Sequence, residues 1–231
     1  DLLATSQALM EANSTLNELR GTAVEFSKEE LIQSNRLLKT NVLSAEALNN
    51  FSQIANLNGK TIRETTEDAI AGANAAMREG GVRMNMKKIL DETSKVSGTI
   101  RAQLGGNTEA IAKSVALAKQ FGMELSAVAQ VGKSLLQFET SINAELQAEL
   151  FTGRQLNLER ARLAALTGDY DTLTKEINAN VGDFYEFSQL NVIQQEKLAA
   201  AFGMSSDQLS DILLKEADLE EMKKRAIADG D

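Results

Sequence analysis

Apolar residues recur every three or four positions along most of the chain, a spacing that places them on one face of an α-helix. One such stripe runs from Leu48 through Phe51 and Ile54 to Leu57. A longer stripe comprises Leu135, Phe138, Ile142, Leu146 and Leu150. The sequence has no sustained alternation of period two, which would indicate strands. The pattern predicts an all-α protein in which each helix has one apolar face that needs a partner.

Glycines mark the expected helix ends, because glycine enters the left-handed conformation just past a helix terminus without a Cβ clash. The segments between them run roughly 13 to 37 residues, which suits one helix or a helix pair. The glycines that divide the chain are Gly21, Gly59, Gly80-Gly81, Gly105-Gly106, Gly122, Gly153, Gly168, Gly182 and Gly203.

Capping residues supply the matching helix starts. Ser44 has the position of a simple N-cap. Capping boxes, in which a short polar side chain pairs with a Glu or Gln three residues later, are expected at Ser27 with Glu30, Asn191 with Gln194, and Ser205 with Gln208. These signals predict about ten helices with glycine breaks. One of them is expected to run without interruption from Glu124 to Phe151.

The apolar faces are poor in aromatic residues, with Phe 8, Tyr 2 and Trp 0. Alanine is frequent instead, as between Ala69 and Ala76 and between Ala161 and Ala165. Small side chains bury little area, and burial contributes about 25 cal/mol per Å². Isolated helices of this kind are marginal. We therefore expect an elongated multi-helix array or bundle whose helices are completed by other copies of the chain.

One internal similarity suggests a duplicated helical unit. The segment Leu117–Met123 and the segment Leu198–Met204 both end on Phe-Gly-Met and lie 81 residues apart. Chance convergence of helix–glycine–helix junctions is the alternative explanation, and a duplicated unit is favoured. The junction residues expected to matter for packing are Phe121, Gly122, Met123, Phe202, Gly203 and Met204. On this basis the chain divides into a helical N-terminal region, 1–106, and a region with the junction repeat, 107–231.

From Leu117 to about Leu214 the sequence resembles the helical repeat region of tail tape-measure proteins from large contractile-tailed bacteriophages. The resemblance is carried by the Phe-Gly-Met junctions and by the stretches Phe151–Arg162, Leu166–Asp171 and Asn191–Met204. It implies a virion structural protein that acts in tail assembly and tail-length determination, inside the tail tube or at the baseplate hub. It also implies tube and hub proteins as partners, and self-association as a trimer or hexamer.

A tape measure sets length because a helix rises about 1.5 Å per residue, so 231 residues would span roughly 350 Å as one extended helix. The glycine breaks favour a folded-back bundle at the hub at least as much as an extended ruler. Family members are usually far longer, so this chain is expected to be one part of such a protein. The alternative function is a coiled-coil signalling or adaptor segment, like a bacterial receptor stalk. The Ala, Thr and Glu content typical of such stalks is found in Ile62–Met77 and in Ile89–Leu104. The glycine pairs at 80–81 and 105–106, however, interrupt the heptads that a stalk needs.

Composition excludes several functional classes. The chain has no histidine or cysteine, so zinc and haem ligation by those side chains and catalysis by imidazole or thiolate are excluded. Its net charge of −9 argues against a DNA-binding surface. The sequence shows neither a secretory signal nor an apolar run of membrane-spanning length. We expect a soluble structural protein, made in the host cytoplasm and incorporated in the virion, that is not an enzyme and has no cofactor or small-molecule substrate.

Three groups of residues resemble sites that bind phosphate, bind calcium or hydrolyse glycosides. Gly132-Lys133-Ser134 resembles the end of a phosphate-binding loop, but Ala127 replaces the required glycine. Three aspartates lie near two glycines and two tyrosines and could form a calcium site. Helix N-capping is the favoured explanation for them; they are Asp169, Asp171 and Asp183. Three glutamates could supply the paired carboxylates of a glycoside hydrolase. The favoured interpretation is that they form an ordinary solvated helix face; they are Glu145, Glu149 and Glu159.

One local patch combines basic residues and methionine around Gly80-Gly81. Methionine adapts to irregular partner surfaces, so a protein-contact role is one interpretation and ordinary packing with solvated cations is the other. The patch includes Met77, Arg78, Arg83, Met84, Met86, Lys87 and Lys88. We assign the possible contact to Met77, Arg83, Met84 and Met86.

Overall fold

The computed structural model describes residues 28–228 together with residues 13, 14, 17 and 18. In this part of the chain all regular structure is helical, which confirms the all-α prediction. The first seven helices are α1 (Lys28–Lys39), α2 (Ala45–Leu57), α3 (Ile62–Gly80), α4 (Met86–Lys95), α5 (Gly98–Gln103), α6 (Thr108–Gln120) and α7 (Leu125–Leu135). The remaining six are α8 (Phe138–Thr152), α9 (Glu159–Thr167), α10 (Tyr170–Val181), α11 (Phe184–Ser188), α12 (Val192–Ala201) and α13 (Ser206–Ala228).

Thirteen helices in the described residues exceed the expected number of about ten. Two of the additional helices are short, since α5 has six residues and α11 has five. A segment of that length contains too few positions to display an apolar period. None of the described helices is long and apolar enough to cross a lipid bilayer.

The continuous helix expected from Glu124 to Phe151 is wrong. Helix α7 ends at Leu135 and α8 begins at Phe138, and the backbone of Gln137 between them is not helical (φ −82°, ψ 72°). The side chains on the two sides of this break differ in exposure: Leu135 is fully buried, whereas Phe138 is half exposed. No glycine or proline marks the break, which explains why the sequence pattern did not reveal it.

Most of the boundary signals correspond to capped ends. Ser44 accepts a hydrogen bond from the N–H of Ala47 at 3.1 Å, as expected of an N-cap. Both halves of the capping box form at Asn191–Gln194 and at Ser205–Gln208. Gly21 and the expected cap at Ser27 lie outside the described residues.

The described residues form two compact units, each with its own buried residues. The N-terminal unit contains the described residues up to Glu79 and Arg83–Val115. Helix α2 packs against α1 and α4 there, and the Ser44 hydroxyl at the start of α2 donates to Asp91 of α4 at 2.8 Å. The core of this unit includes Leu43, Leu48, Phe51, Ile62 and Leu90.

The C-terminal unit contains Gly80–Val82 and the described residues from Ala116 onward. Helices α7, α9 and α10 pack on one another, α12 packs on α8 and on α13, and α11 packs on α13. In each unit the helices therefore fold back on their neighbours. The division into regions 1–106 and 107–231 was based on motif content and stays a prediction.

Candidate functional site

Helix α8 leaves its stripe of large apolar residues exposed. Its exposed apolar residues follow one another at intervals of four, and we call them the apolar ridge: Phe138 (50% exposed), Ile142 (45%), Leu146 (57%) and Leu150 (80%). The opposite face contains Ser141 and Ala148, both buried. The buried face of α8 thus has small side chains, and the long stripe seen in the sequence is left exposed in the single chain.

Helix α9 extends this apolar surface. Its exposed side chains Leu163 and Leu166 line a groove of about 780 Å³ together with Phe138 and Ile142 of the ridge. We call this the α8–α9 groove. Its charged lining residues are Glu145, Glu149, Glu159 and Arg162. Neighbouring exposed apolar residues of this size, bordered by polar groups, are typical of protein-contact surfaces.

The apolar surface also continues toward the N-terminus of α12. Phe151, next to the last ridge residue, is exposed, as are Val192 and Ile193 at the start of α12. The amide of Gln194 donates to the Phe151 carbonyl at 2.8 Å. The ammonium of Lys197 lies 5.6 Å from the centre of the Phe151 ring, within reach of a cation–π contact. These interactions fix the end of α8 against α12.

Two carboxylates of α8 hold the segment that leads from α8 to α9. Glu149 accepts the backbone N–H of Leu156 at 2.8 Å, and Glu145 accepts the N–H of Leu158 at 3.0 Å. The N–H of Asn157 donates to the side chain of Asn180 at 2.8 Å. The two glutamates therefore satisfy backbone donors that an extended segment leaves without helical partners.

Arg162 completes this arrangement from α9. Its side chain is buried, and its Nη2 atom donates to Glu145 at 2.5 Å and to the Ser141 hydroxyl at 2.9 Å. The interpretation of these carboxylates as a solvated face is wrong for Glu145 and Glu149, because both bind backbone N–H groups. Glu159 is exposed, as that interpretation expected. The carboxylates support the walls of the α8–α9 groove.

The two Phe-Gly-Met junctions have the same backbone structure. The N–H of Met123 donates to the Ala118 carbonyl and the N–H of Met204 donates to the Ala199 carbonyl, each at 3.0 Å. This six-residue closure is the hydrogen bond of a Schellman C-cap. The intervening glycines are left-handed, with φ of 68° at Gly122 and 66° at Gly203. Met123 and Phe202 are buried, whereas Phe121 and Met204 are half-buried.

Each junction also contacts the helix that follows the other junction. A Cβ added to Gly122 would lie 3.1 Å from Cβ of Lys215 in α13, and one added to Gly203 would lie 2.4 Å from Cβ of Ser134 in α7. Ser134 and Lys215 are themselves 81 residues apart, the period of the repeat. Such reciprocal contacts are those of two copies related by an approximate twofold axis. The structure thus favours duplication over chance convergence.

One position in the helix that follows the junction is leucine in the first repeat copy and glutamate in the second. Glu216 occupies the position equivalent to Leu135, and burial raises the pKa of its carboxyl, with the neighbouring Glu220 and Asp183 acting in the same direction. Because the folded-state pKa is raised, the chain loses stability as pH rises through that pKa. We expect Glu216→Gln, which removes the charge and keeps a partner for Asn178, to stabilise the chain by less than about 1 kcal/mol at neutral pH.

Thermal unfolding at neutral pH and near pH 4 measures this effect. The gain in Glu216→Gln should shrink at the lower pH, where the carboxyl of the parent chain is protonated. An equal gain at both values would mean that charge burial is not its cause. Glu221→Gln, at an exposed residue of the same helix, is the matched control.

The methionine-rich patch belongs to the N-terminal unit and is largely engaged within it. Met84 donates its backbone N–H to the sulfur of Met77 at 3.3 Å, and Met86 packs against the core of the unit. Arg83 is exposed. A contact role for these four residues stays a prediction.

The phosphate-loop resemblance has a packing explanation. Gly132 lies inside α7, where an added Cβ would be 3.0 Å from Cδ2 of Leu173 in α10. Ser134 is the residue that approaches Gly203, and Lys133 is exposed. These three residues therefore belong to a helix, in which Gly132 and Ser134 make packing contacts, rather than to a loop that could surround a phosphate.

The acidic cluster near the two tyrosines caps helices, as expected. Asp169 accepts the N–H of Thr172 at 3.0 Å at the start of α10, and Asp183 accepts the N–H of Glu186 at 2.8 Å at the start of α11. Asp171 lies in the first turn of α10. Among the described residues, no three acidic side chains are grouped so that they could hold a metal ion.

Comparison of the chain with protein-family models, with curated proteins and with solved structures gave no match. The site must therefore be interpreted from its own geometry. Its main property is an apolar surface formed by residues of α8 and α9, with Glu145 and Glu149 holding the segment between them.

Proposed function

We propose that this chain is a structural segment of a phage tail protein of the tape-measure type. In this role it acts in tail assembly as a folded anchor that contacts tube or hub proteins through the apolar ridge and the α8–α9 groove. The observation that carries the proposal is the exposed apolar face of α8, because a single soluble chain gains nothing from leaving Phe138, Ile142, Leu146 and Leu150 in water. A surface of this kind is stabilised when another chain covers it.

The folded state of the units favours an anchor over an extended ruler. An extended helix contributes about 1.5 Å of length per residue, whereas α7, α9 and α10 pack side by side. Residues in such a bundle add little length for their number. An anchor at the hub would influence tail length by fixing where the ruler begins.

Of the two stretches with stalk-like composition, Ile62–Met77 lies within one continuous helix, α3, of 19 residues. A coiled-coil stalk requires continuous helices over three or four heptads. Ile89–Leu104 is instead divided between α4, which ends at Lys95, and α5, which begins at Gly98. Neither stretch therefore forms a helix of three full heptads.

The tail role predicts that the chain is a virion component. Tryptic mass spectrometry of purified tails from the phage that encodes it should detect the peptide Ser134–Arg154, which covers the ridge and has no internal Lys or Arg. We expect it at a few copies per tail. Its presence only in the host-cell fraction would contradict the proposal.

An in-frame deletion separates anchor from ruler. Deleting residues 138–228 removes about 90 residues, which would shorten an extended ruler by about 140 Å. For an anchor we expect tails to be missing rather than shortened, because the contact surface is gone. Electron microscopy of the lysate measures this, and intact tails shortened by that length would contradict the anchor.

A further inference from the structure

We infer that the α8–α9 groove binds one amphipathic helix of a partner protein, with apolar residues along one ridge and Lys or Arg along its edges. This inference concerns the surface used in the proposed function, but it does not depend on a virion role. The groove can bind such a helix whether or not the protein belongs to a tail, so the two proposals can fail separately.

The spacing of the ridge indicates the geometry of its partner. Phe138, Ile142, Leu146 and Leu150 follow one another at i+4 throughout, without the alternating three and four of a coiled coil. A row of i±4n residues is inclined to the helix axis, and packing two such rows gives a crossing angle of about −50°. The expected occupant is therefore a helix that crosses α8 obliquely, toward Leu163 and Leu166 on α9, rather than one that runs alongside it.

The charges around the groove indicate the character of the partner's edges. Of the ionisable lining residues, three are carboxylates and one is a cation. The cation, Arg162, is buried against Glu145 and is not available to a partner. Glu159 is exposed at the start of α9, and Glu139 is exposed beside the first ridge residue. A helix with basic edges would meet complementary charge at Glu159 in the groove and at Glu139 beside Phe138.

The same charges disfavour a second copy as the occupant. Each chain has a net charge of −9, so two copies repel each other on approach. Two copies joined groove to groove would also place Glu159 of each chain in the same interface. A partner with basic edges gains attraction where a second copy encounters repulsion.

Two designed peptides of about 20 residues test this inference. Both have leucine at i, i+4, i+8 and i+12, and their edge positions are all lysine in one and all glutamate in the other. Fluorescence anisotropy with the full chain should show about tenfold tighter binding of the lysine peptide. That preference should decrease as salt is added, because the charges are exposed.

Substitutions locate the binding. Ile142→Asp and Leu163→Asp, one on each wall of the groove, should each weaken binding of the lysine peptide at least tenfold. Leu57→Asp, at an 85% exposed leucine of the N-terminal unit, is the matched control and should leave it unchanged. Glu159→Gln should weaken the lysine peptide about threefold and should not weaken the glutamate peptide. Circular dichroism of each variant confirms that the fold is retained, as expected at exposed positions.

Three results would overturn the inference. The first is equal binding of the two peptides, and the second is binding of neither. The third is sedimentation of the parent chain as a dimer that Ile142→Asp converts to a monomer, because a second copy would then occupy the groove.

Discussion

Gly122→Ala is expected to destabilise the chain by about 3 kcal/mol, of which about 1 kcal/mol comes from the left-handed backbone and about 2 from displaced helix packing. The added Cβ would lie 2.5 Å from the Ile212 carbonyl oxygen and 2.9 Å from the Glu216 nitrogen. Both are backbone atoms of α13, so relief requires movement of the helix itself.

Gly153→Ala is the matched control for this substitution. Gly153 is also left-handed, with φ of 70°, but nothing lies within 4 Å of an added Cβ. The free energy of unfolding of Gly153→Ala should therefore fall only by the cost of the left-handed backbone, about 1 kcal/mol. Urea unfolding followed by circular dichroism compares the two variants. Equal losses would show that the close approach of α13 to Gly122 does not restrict the side chain at this position.

Arg162→Leu is expected to cost about 3 kcal/mol, because removal of one member of a buried ion pair leaves the other charge without compensation. Arg162 is only 8% exposed, and Glu145 would lose its 2.5 Å contact with the guanidinium while remaining close to Leu158. Because these residues support the groove, Arg162→Leu should also weaken binding of the lysine peptide.

Arg160→Leu is the matched control on the same helix. Arg160 pairs with Glu176 at 3.2 Å, but its own side chain is largely exposed, so its loss should cost less than about 1 kcal/mol. Combining Arg162→Leu with Glu145→Gln should recover part of the lost stability, since no charge is then left buried and the amide oxygen can still accept the N–H of Leu158. Similar free energies of unfolding for Arg162→Leu and Arg160→Leu would show that the pair at Arg162 contributes little.

Local backbone features were predictable from the sequence because they depend on neighbouring residues. The capping boxes at Asn191 and Ser205 and the left-handed glycines at Gly122 and Gly203 form as expected. A short polar residue before an apolar run, or a glycine after one, has few other local uses. The all-α class followed from the same periodicity.

Features that depend on distant residues were not predictable in this way. Whether the stripe from Leu135 to Leu150 would be buried depends on which helices pack beside it, and the structure buries Leu135 while exposing the rest. Glu145 and Glu149 have the spacing of an ordinary solvated face, because their backbone partners, Leu158 and Leu156, lie in a separate segment. Three-dimensional contact, rather than sequence spacing, distinguishes a supporting carboxylate from a solvated one.

The proposed tail role is tested most directly by counting tails in electron micrographs after Ile142→Asp and Leu57→Asp are introduced separately into the gene. Both changes place one charge at an exposed apolar residue, but only Ile142 belongs to the apolar ridge. If the ridge is the contact surface for assembly, Ile142→Asp should abolish complete tails and Leu57→Asp should leave their number and length unchanged. Normal tails with Ile142→Asp would contradict the account.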